Sequence, residues 1–335
     1  MILVTGGTGL VGSHLLYHLS LMDGKIRAIH RKNSNIKAVK RVFSYYTDDY
    51  ENQFKKIEWI EADVTDTPSL EKAFLDITHV YHCAAIVSFD KRDYKKMRHI
   101  NIGGTANMIN FAIANSITKF CFVSSIATIE KNLTNTLINE TNEWNTETNN
   151  YGYAITKYGA EMEVWRATQE GLDVVIVNPG VILGAGFWQS GPGELFTKFY
   201  NEFKFYTEGI TGFVGVKDTV KAMIALMQSD VKNERFILVS KNESFKNLFY
   251  KIADNFKKKR PSIEVGKILS TIAWQVERIK SFITNKSPMI TKHSASASLS
   301  KYHYSSQKIK DTIPFEFETL DKTVKDVCLD FMKDV

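Results

Sequence analysis

Cysteine is scarce in this chain of 335 residues. The three that occur, Cys83, Cys121 and Cys328, stand far apart among apolar neighbours. That excludes a disulfide framework and any cysteine-based metal spacing, and it suits buried thiols in a reducing compartment. Long apolar runs are missing too. No uninterrupted stretch approaches the ~20 residues of a bilayer-spanning helix, so no membrane span is expected. A strand pattern starts at Met1, which leaves no place for a cleaved signal, and a cytoplasmic setting is expected. Charge of one sign is not concentrated enough to imply nucleic acid: 43 Lys and Arg against 37 Asp and Glu give +6. That excess mildly favours anionic small molecules. His14 and His18 have i, i+4 spacing, but no third ligand accompanies them. They read as packing residues, as do His79 and His82, and no metal is expected. There is no internal repeat.

What is present is a β-α rhythm. "MILVT", "KIRAIH", "KIEWIEAD", "THVYHCAA", "KFCFVSS" and "LDVVIVNP" are short apolar runs, separated by longer amphipathic segments. The runs are continuous rather than alternating, as in strands buried on both faces. The pattern predicts an α/β fold with a doubly wound parallel sheet, of Rossmann type. After Pro179 the rhythm changes. "GVILGAGFWQSGPGELF" reads as loop, while "GFVGVKDTVKAMIALMQ" and "RFILVS" return to the sheet pattern. From about residue 241 the chain reads as mainly helical and more basic. The expected division is a dinucleotide-binding domain, 1–178 with 213–240, and a smaller, mainly helical substrate domain, 179–212 with 241–335. "ITKHSASASLSKYHYSSQ" is Ser-rich and reads as loop or short strand.

"TGGTGLVG", Thr5 to Gly12, follows the first strand and opens a helix. Its glycines satisfy both G-x-G-x-x-G and G-x-x-G-x-x-G. They permit a sharp turn and close approach of a pyrophosphate, with the helix N-terminus supplying free N–H groups. Gly6, Thr8, Gly9, Leu10, Val11 and Gly12 are therefore candidate cofactor residues. An acidic residue that would bind the adenosine 2′-hydroxyl is absent from the end of the second strand, which reads "AIHRKNS". Arg31 and Lys32 stand there instead, suited to a 2′-phosphate. NADP(H) is favoured, with NAD(H) left open. Asp63, with Val64 beside it, is placed to accept the adenine amino group. Ala84 and Ala85 are small enough to let the adenosine lie against the backbone.

These pieces resemble the extended short-chain dehydrogenase/reductase family, which includes the NAD-dependent epimerases and dehydratases, over nearly the whole chain. The family's T-G-x-x-G-x-x-G matches Thr5 to Gly12, its aspartate Asp63, and its N-x-x-G-T Asn101 to Thr105. Its serine strand matches "FVSSIAT", its Y-x-x-x-K Tyr153 to Lys157, and its proline segment "NPGVILG". Within the family the chain looks most like the dihydroflavonol 4-reductase and 3β-hydroxysteroid dehydrogenase branches. The resemblance implies a nicotinamide cofactor and Ser–Tyr–Lys chemistry.

Three tyrosines surround Lys157 in "YGYAITKY". Residues i and i+4 share a helix face, which singles out Tyr153 over Tyr151 and Tyr158. Tyr153 is the expected acid/base, with its pKa lowered by the Lys157 ammonium. Tyr151 would line the approach and Tyr158 would pack. The resemblance implies that Lys157 also holds the nicotinamide ribose, that Ser125 binds the substrate oxygen, and that the backbone at Pro179, Gly180 and Val181 meets the carboxamide. Strand alternation lets only one of Ser124 and Ser125 face the site; the resemblance favours Ser125. Asn101 is read as organising a water or backbone contact, or as structural.

The leading expectation is an NADP(H)-dependent reductase or dehydrogenase for a ketone, aldehyde or secondary alcohol. A redox-neutral nucleotide-sugar epimerase or dehydratase is the alternative, and a cofactor-binding regulatory protein is a third. Phe187, Trp188 and an apolar stripe at Ile268, Ile272, Val276, Ile279 and Ile283 hint at an apolar or aromatic small-molecule substrate. That stripe is expected to cover the pocket rather than a membrane surface. The basic run 257–260 reads as a solvated helix end. A homodimer remains open.

Overall fold

The computed structural model describes residues 1–129, 137–145, 151–284 and 291–335. Among these, seven parallel strands form one sheet: β1 (Ile2–Thr5), β2 (Ile26–His30), β3 (Ile57–Glu61), β4 (His79–His82), β5 (Lys119–Val123), β6 (Asp173–Pro179) and β7 (Glu234–Leu238), in the order 3-2-1-4-5-6-7. The expected doubly wound sheet is present. Its strands bury both faces because successive side chains point opposite ways. Val4, Val175 and Val177 join one core with Leu15 and Leu16 of helix α1 (Leu10–Ser20). Leu3, Val174 and Ile176 join the other with Met108 of α2 (Gly104–Ala114) and Val164 of α3 (Gly152–Gln169). Helix α4 (Val216–Gln228) packs on α1's side, through Val220 and Met223.

The chain reverses direction of winding between β1 and β4. In open parallel sheets the crevice at the strands' carboxyl ends is widest at that point and receives ligands. The glycine loop leaves β1 there, and Ala84 and Ala85 leave β4 beside it.

Beyond β6 the structure is less loop-like than the glycine content suggests. Residues Val181–Leu183 form a short strand parallel to Ile210–Gly215, which pairs antiparallel with Lys241–Ser244. Gly180 and Gly212 are required for this crossing: a Cβ on Gly180 would lie 2.3 Å from the Gly212 carbonyl oxygen. Gly193–Tyr200 is helical. Helices α5 (Phe245–Asn255) and α8 (Leu320–Met332) close a separate core around Phe196, Phe199, Phe213 and Phe331. Between them lie α6 (Lys267–Thr284) and α7 (Lys292–Ala297), packed on each other. The Ser-rich segment thus contains a helix, held by a reciprocal cap between Thr291 and Ser294, as well as the short strand His303–Tyr304.

Among the described residues, the apolar stripe faces outward instead of covering a pocket. Ile268 is 81% exposed, Ile272 52% and Val276 56%; the side chains of Ile279 and Ile283 lie outside the described ones. Helical periodicity reports that one face is apolar, not what lies against it.

Candidate active site

The glycine loop is shaped by close approach. Gly6 has φ +66° and a Cβ there would sit 2.6 Å from the Ala84 nitrogen. A Cβ on Gly12 would sit 2.2 Å from the Gly6 carbonyl oxygen. Helix α1 starts with neither a side-chain cap nor an acidic residue in its first turn. Its first amides, from Leu10 onward, lack intrahelical acceptors, as a bound pyrophosphate would require. The cradle fits a dinucleotide.

At the adenosine end, Arg31, Lys32, Asp63 and Asp66 line a cavity of about 470 Å³. Arg31 and Lys32 are exposed and form no ion pair among the described residues. One Asp63 oxygen accepts from the backbone and hydroxyl of Thr65, at 2.9 and 2.7 Å. Its other oxygen takes no hydrogen bond from the described residues. Glu61 and Asp66, which the sequence reading passed over, put further carboxylates on the same wall.

The N-x-x-G-T segment fastens the floor of the site. Asn101 donates to the Ile86 carbonyl (3.0 Å) and Thr156 hydroxyl (3.1 Å) and accepts from Ile86 N–H (2.8 Å). It ties the loop after β4 to α3, a backbone contact of the expected kind. It stands in a π-helical stretch, Arg98–Gly103, where such bulges often mark functional sites. A Cβ on Gly104 would lie 2.6 Å from Val64, and Asn107 donates to the Val64 carbonyl at 2.9 Å. His82 bridges Thr5 (2.6 Å) and Thr105 (3.0 Å). Thr105 itself donates to the Asn101 carbonyl, so His82 must donate through Nε2 and accept at Nδ1. Burial pushes its pKa down to about 3, consistent with that neutral form. His14 spends both nitrogens on Tyr46 and the Ala185 carbonyl. No metal-binding cluster occurs among the described residues.

The two serines after β5 face opposite ways. Ser124 is buried and donates to Glu161 Oε2 at 2.5 Å. Ser125 accepts from the Ala127 amide at 3.1 Å, and its side chain lies close enough to Tyr153 to act on that phenol. Tyr153 starts the first turns of α3 and is half-buried. Lys157, one turn on, is almost fully buried; its Nζ donates to the Val123 carbonyl at 2.7 Å and lies 4.1 Å from the centre of the Phe122 ring.

These positions change the expected electrostatics. Burial raises the Tyr153 pKa to about 12, and the nearby Ser125 side chain opposes it. The Lys157 ammonium donates to the β5 carbonyl of Val123. Burial also lowers the Lys157 pKa to about 7, opposed by Glu161 and Cys83. The shared helix face predicted proximity of the two side chains; desolvation reverses the predicted direction for tyrosine.

Sequence reasoning missed Glu161. Fully buried, it accepts from Ser124, Thr128 (2.9 Å), Asn178 (3.1 Å) and Arg235 (3.2 Å). Asn178, from "VNPG", also donates to the Ser125 carbonyl at 3.2 Å. This network fixes the β5 end from behind. Its partners come from α3, β6 and β7, and no local pattern announces it.

Around Tyr153 lies an aromatic wall. Tyr151 stacks on Phe89 (centroids 5.5 Å apart) and lies 5.8 Å from the His293 ring of α7. Tyr158 stacks on Trp144 at 4.5 Å, a packing role as expected. Trp188 does not join the wall: it packs on Phe331 and donates to Asp334 at 2.6 Å.

A sheet of order 3-2-1-4-5-6-7, a glycine cradle at its switch point and a Ser–Tyr–Lys set beside it define an extended short-chain dehydrogenase/reductase. Residues 4–232 match the family described as male sterility protein, an NAD-binding family, and the chain belongs to it. It is an NAD(P)-dependent enzyme of the short-chain dehydrogenase/reductase type. Among curated relatives, a putative dihydroflavonol 4-reductase from Synechocystis is 26% identical over 91% of this chain and 87% of its own. Anthocyanidin reductase from Arabidopsis thaliana is 26% identical over 72% of this chain and 76% of its own. The fold matches UDP-glucose 4-epimerase from Thermotoga maritima with a TM-score of 0.78, at 19% identity over 99% of both chains.

Proposed function

We propose that the protein is an NADP(H)-dependent reductase of a ketone or aldehyde bearing an apolar or aromatic group. The observation that carries this reading is the placement of Tyr153 close to Ser125 at the carboxyl end of β5, beside the buried Lys157. The nicotinamide cofactor, when bound, supplies the hydride. Tyr153 then gives its phenolic proton to the carbonyl oxygen as negative charge develops there. With a pKa near 12, Tyr153 stays protonated at neutral pH, which suits the reducing direction: an alkoxide is a far stronger base than a phenolate. Ser125 shares its hydroxyl between the substrate oxygen and Tyr153. Lys157 would hold the ribose next to the nicotinamide, and the backbone of Pro179 to Val181 its carboxamide.

Arg31 and Lys32 support NADP(H), and Phe89, Tyr151 and His293 support an aromatic or apolar substrate. The names of the reductase relatives agree with this class. The three free cysteines suit the cytoplasm. The test is a screen of carbonyl compounds for NADPH oxidation with purified protein. Turnover should consume cofactor in step with product, and Tyr153→Phe should abolish it while cofactor binding persists. Redox-neutral turnover would favour an epimerase or dehydratase, and a fully active Tyr153→Phe enzyme would sink the assigned role.

A further inference from the structure

Two features outside the active site coincide in one segment. The first is an exposed apolar face. Ile268, Leu269, Ile272 and Val276 of α6 are all exposed; at 100° per residue they fall within a stripe about 100° wide. Just before the helix, Ile263 pairs in register with Phe205. Both are exposed, as is Phe203, whose ring centroid lies 5.4 Å from that of Phe205. Exposed apolar side chains gathered in this way usually mark an interaction surface.

The second is charge. Residues 254–292 contain nine Lys and Arg against three Asp and Glu, so this stretch holds the whole +6 of the chain and the remainder is balanced. Lys204, Lys257, Lys259 and Lys267 are exposed and make no ion pair among the described residues. Arg260 is paired with Asp254, and Glu202, Glu264 and Glu277 are the other acidic residues nearby in sequence.

We infer that α6 and the strand pair before it form a docking face for an anionic membrane surface. A second copy of this chain would set two basic segments against each other. Nucleic acid would leave the isoleucines and phenylalanines in water. A bilayer with anionic headgroups takes both features at once, the apolar stripe entering the headgroup boundary and the lysines meeting the phosphates. Among the described residues no helix is long and apolar enough to cross a membrane, so the helix lies on the surface. Helix α6 packs on α7, which carries His293 to the aromatic wall, so the docked face adjoins the entrance to the site.

The test is flotation of the full chain with vesicles of equimolar phosphatidylcholine and phosphatidylglycerol, and with phosphatidylcholine alone. The protein should float with the anionic vesicles only and be released by high salt. Ile272→Glu with Val276→Glu, at exposed positions that leave the fold intact, should weaken binding at least tenfold. Lys257→Glu with Lys259→Glu should weaken it by about fivefold per charge removed. Cofactor affinity should not move in either variant. Failure to float, equal flotation with neutral vesicles, or undiminished binding of the Ile272/Val276 variant overturns the inference. So does a stable dimer in light scattering that these same substitutions dissociate, since the face would then join two copies.

Discussion

Ser125 accepts from the Ala127 amide and lies close to Tyr153, while Ser124, its neighbour in the chain, points the other way into the carboxylate of Glu161. One strand end therefore supplies two hydroxyls with separable duties. Ser125→Ala should cost about 10²–10³-fold in kcat/KM, the scale of one lost donor to a developing oxyanion, with little change in stability. Ser124→Ala should do the reverse: it removes a charge-assisted hydrogen bond worth about 1.5–3 kcal/mol and leaves turnover nearly intact. Steady-state kinetics beside urea unfolding separates the two, and equal kinetic losses would refute the division.

The cofactor's phosphate end makes a different prediction. Arg31 and Lys32 are exposed and without ion pairs among the described residues, so they are available to a 2′-phosphate. Replacing both by Ala should raise KM for NADPH about tenfold or more, since hydrogen bonds to a charged group are each worth about 1.5–3 kcal/mol. KM for NADH should barely move. Equal effects on both cofactors would show that these side chains do not read the phosphate.

The sequence carried the sheet and the glycine cradle openly. Buried strands must be continuously apolar, and Gly6 and Gly12 occupy positions that a Cβ would fill with backbone atoms 2.6 and 2.2 Å away. It also showed, through helical spacing, which tyrosine shares a face with Lys157, namely Tyr153. What it could not carry was where each polar head goes after the faces are set. Lys157 reaches the Val123 carbonyl rather than Tyr153, a choice made by β5. Trp188 is held by Phe331 and Asp334, far along the chain. The stripe on α6 has a period that reads the same whether protein, lipid or water lies against it.

The buried pair Glu161–Arg235 links α3 to β7, residues 74 apart in sequence. Glu161 is fully buried and the Arg235 side chain is 14% exposed. Truncating the cation as Arg235→Met leaves a carboxylate in the interior, with Ser124, Thr128 and Asn178 as its remaining close donors. Removing one partner of such a pair costs about 3–5 kcal/mol. The urea midpoint should fall accordingly. Glu161→Gln, which keeps the shape but not the charge, should also lower it. A midpoint unchanged in Arg235→Met would mean that the pair is dispensable for folding.

Lys157 gives the protein a pH dependence with a definite sign. Its pKa is about 7 in the fold against the ordinary 10.5 of lysine. Between those values the unfolded chain binds the extra proton, so stability of the cofactor-free protein rises with pH as the native lysine becomes neutral. The rise has an upper limit. Burial raises Cys83 from 9.0 to about 12 and Tyr153 from 10.0 to about 12, and such groups withdraw stability as pH passes their unfolded values. The window for Lys157 is therefore pH 7 to about 9. Thermal unfolding should show Tm increasing across it, and Lys157→Met should flatten the slope by removing the titrating group. Parallel slopes in the two proteins would place the lysine's proton elsewhere than its surroundings at Val123 and Phe122 dictate.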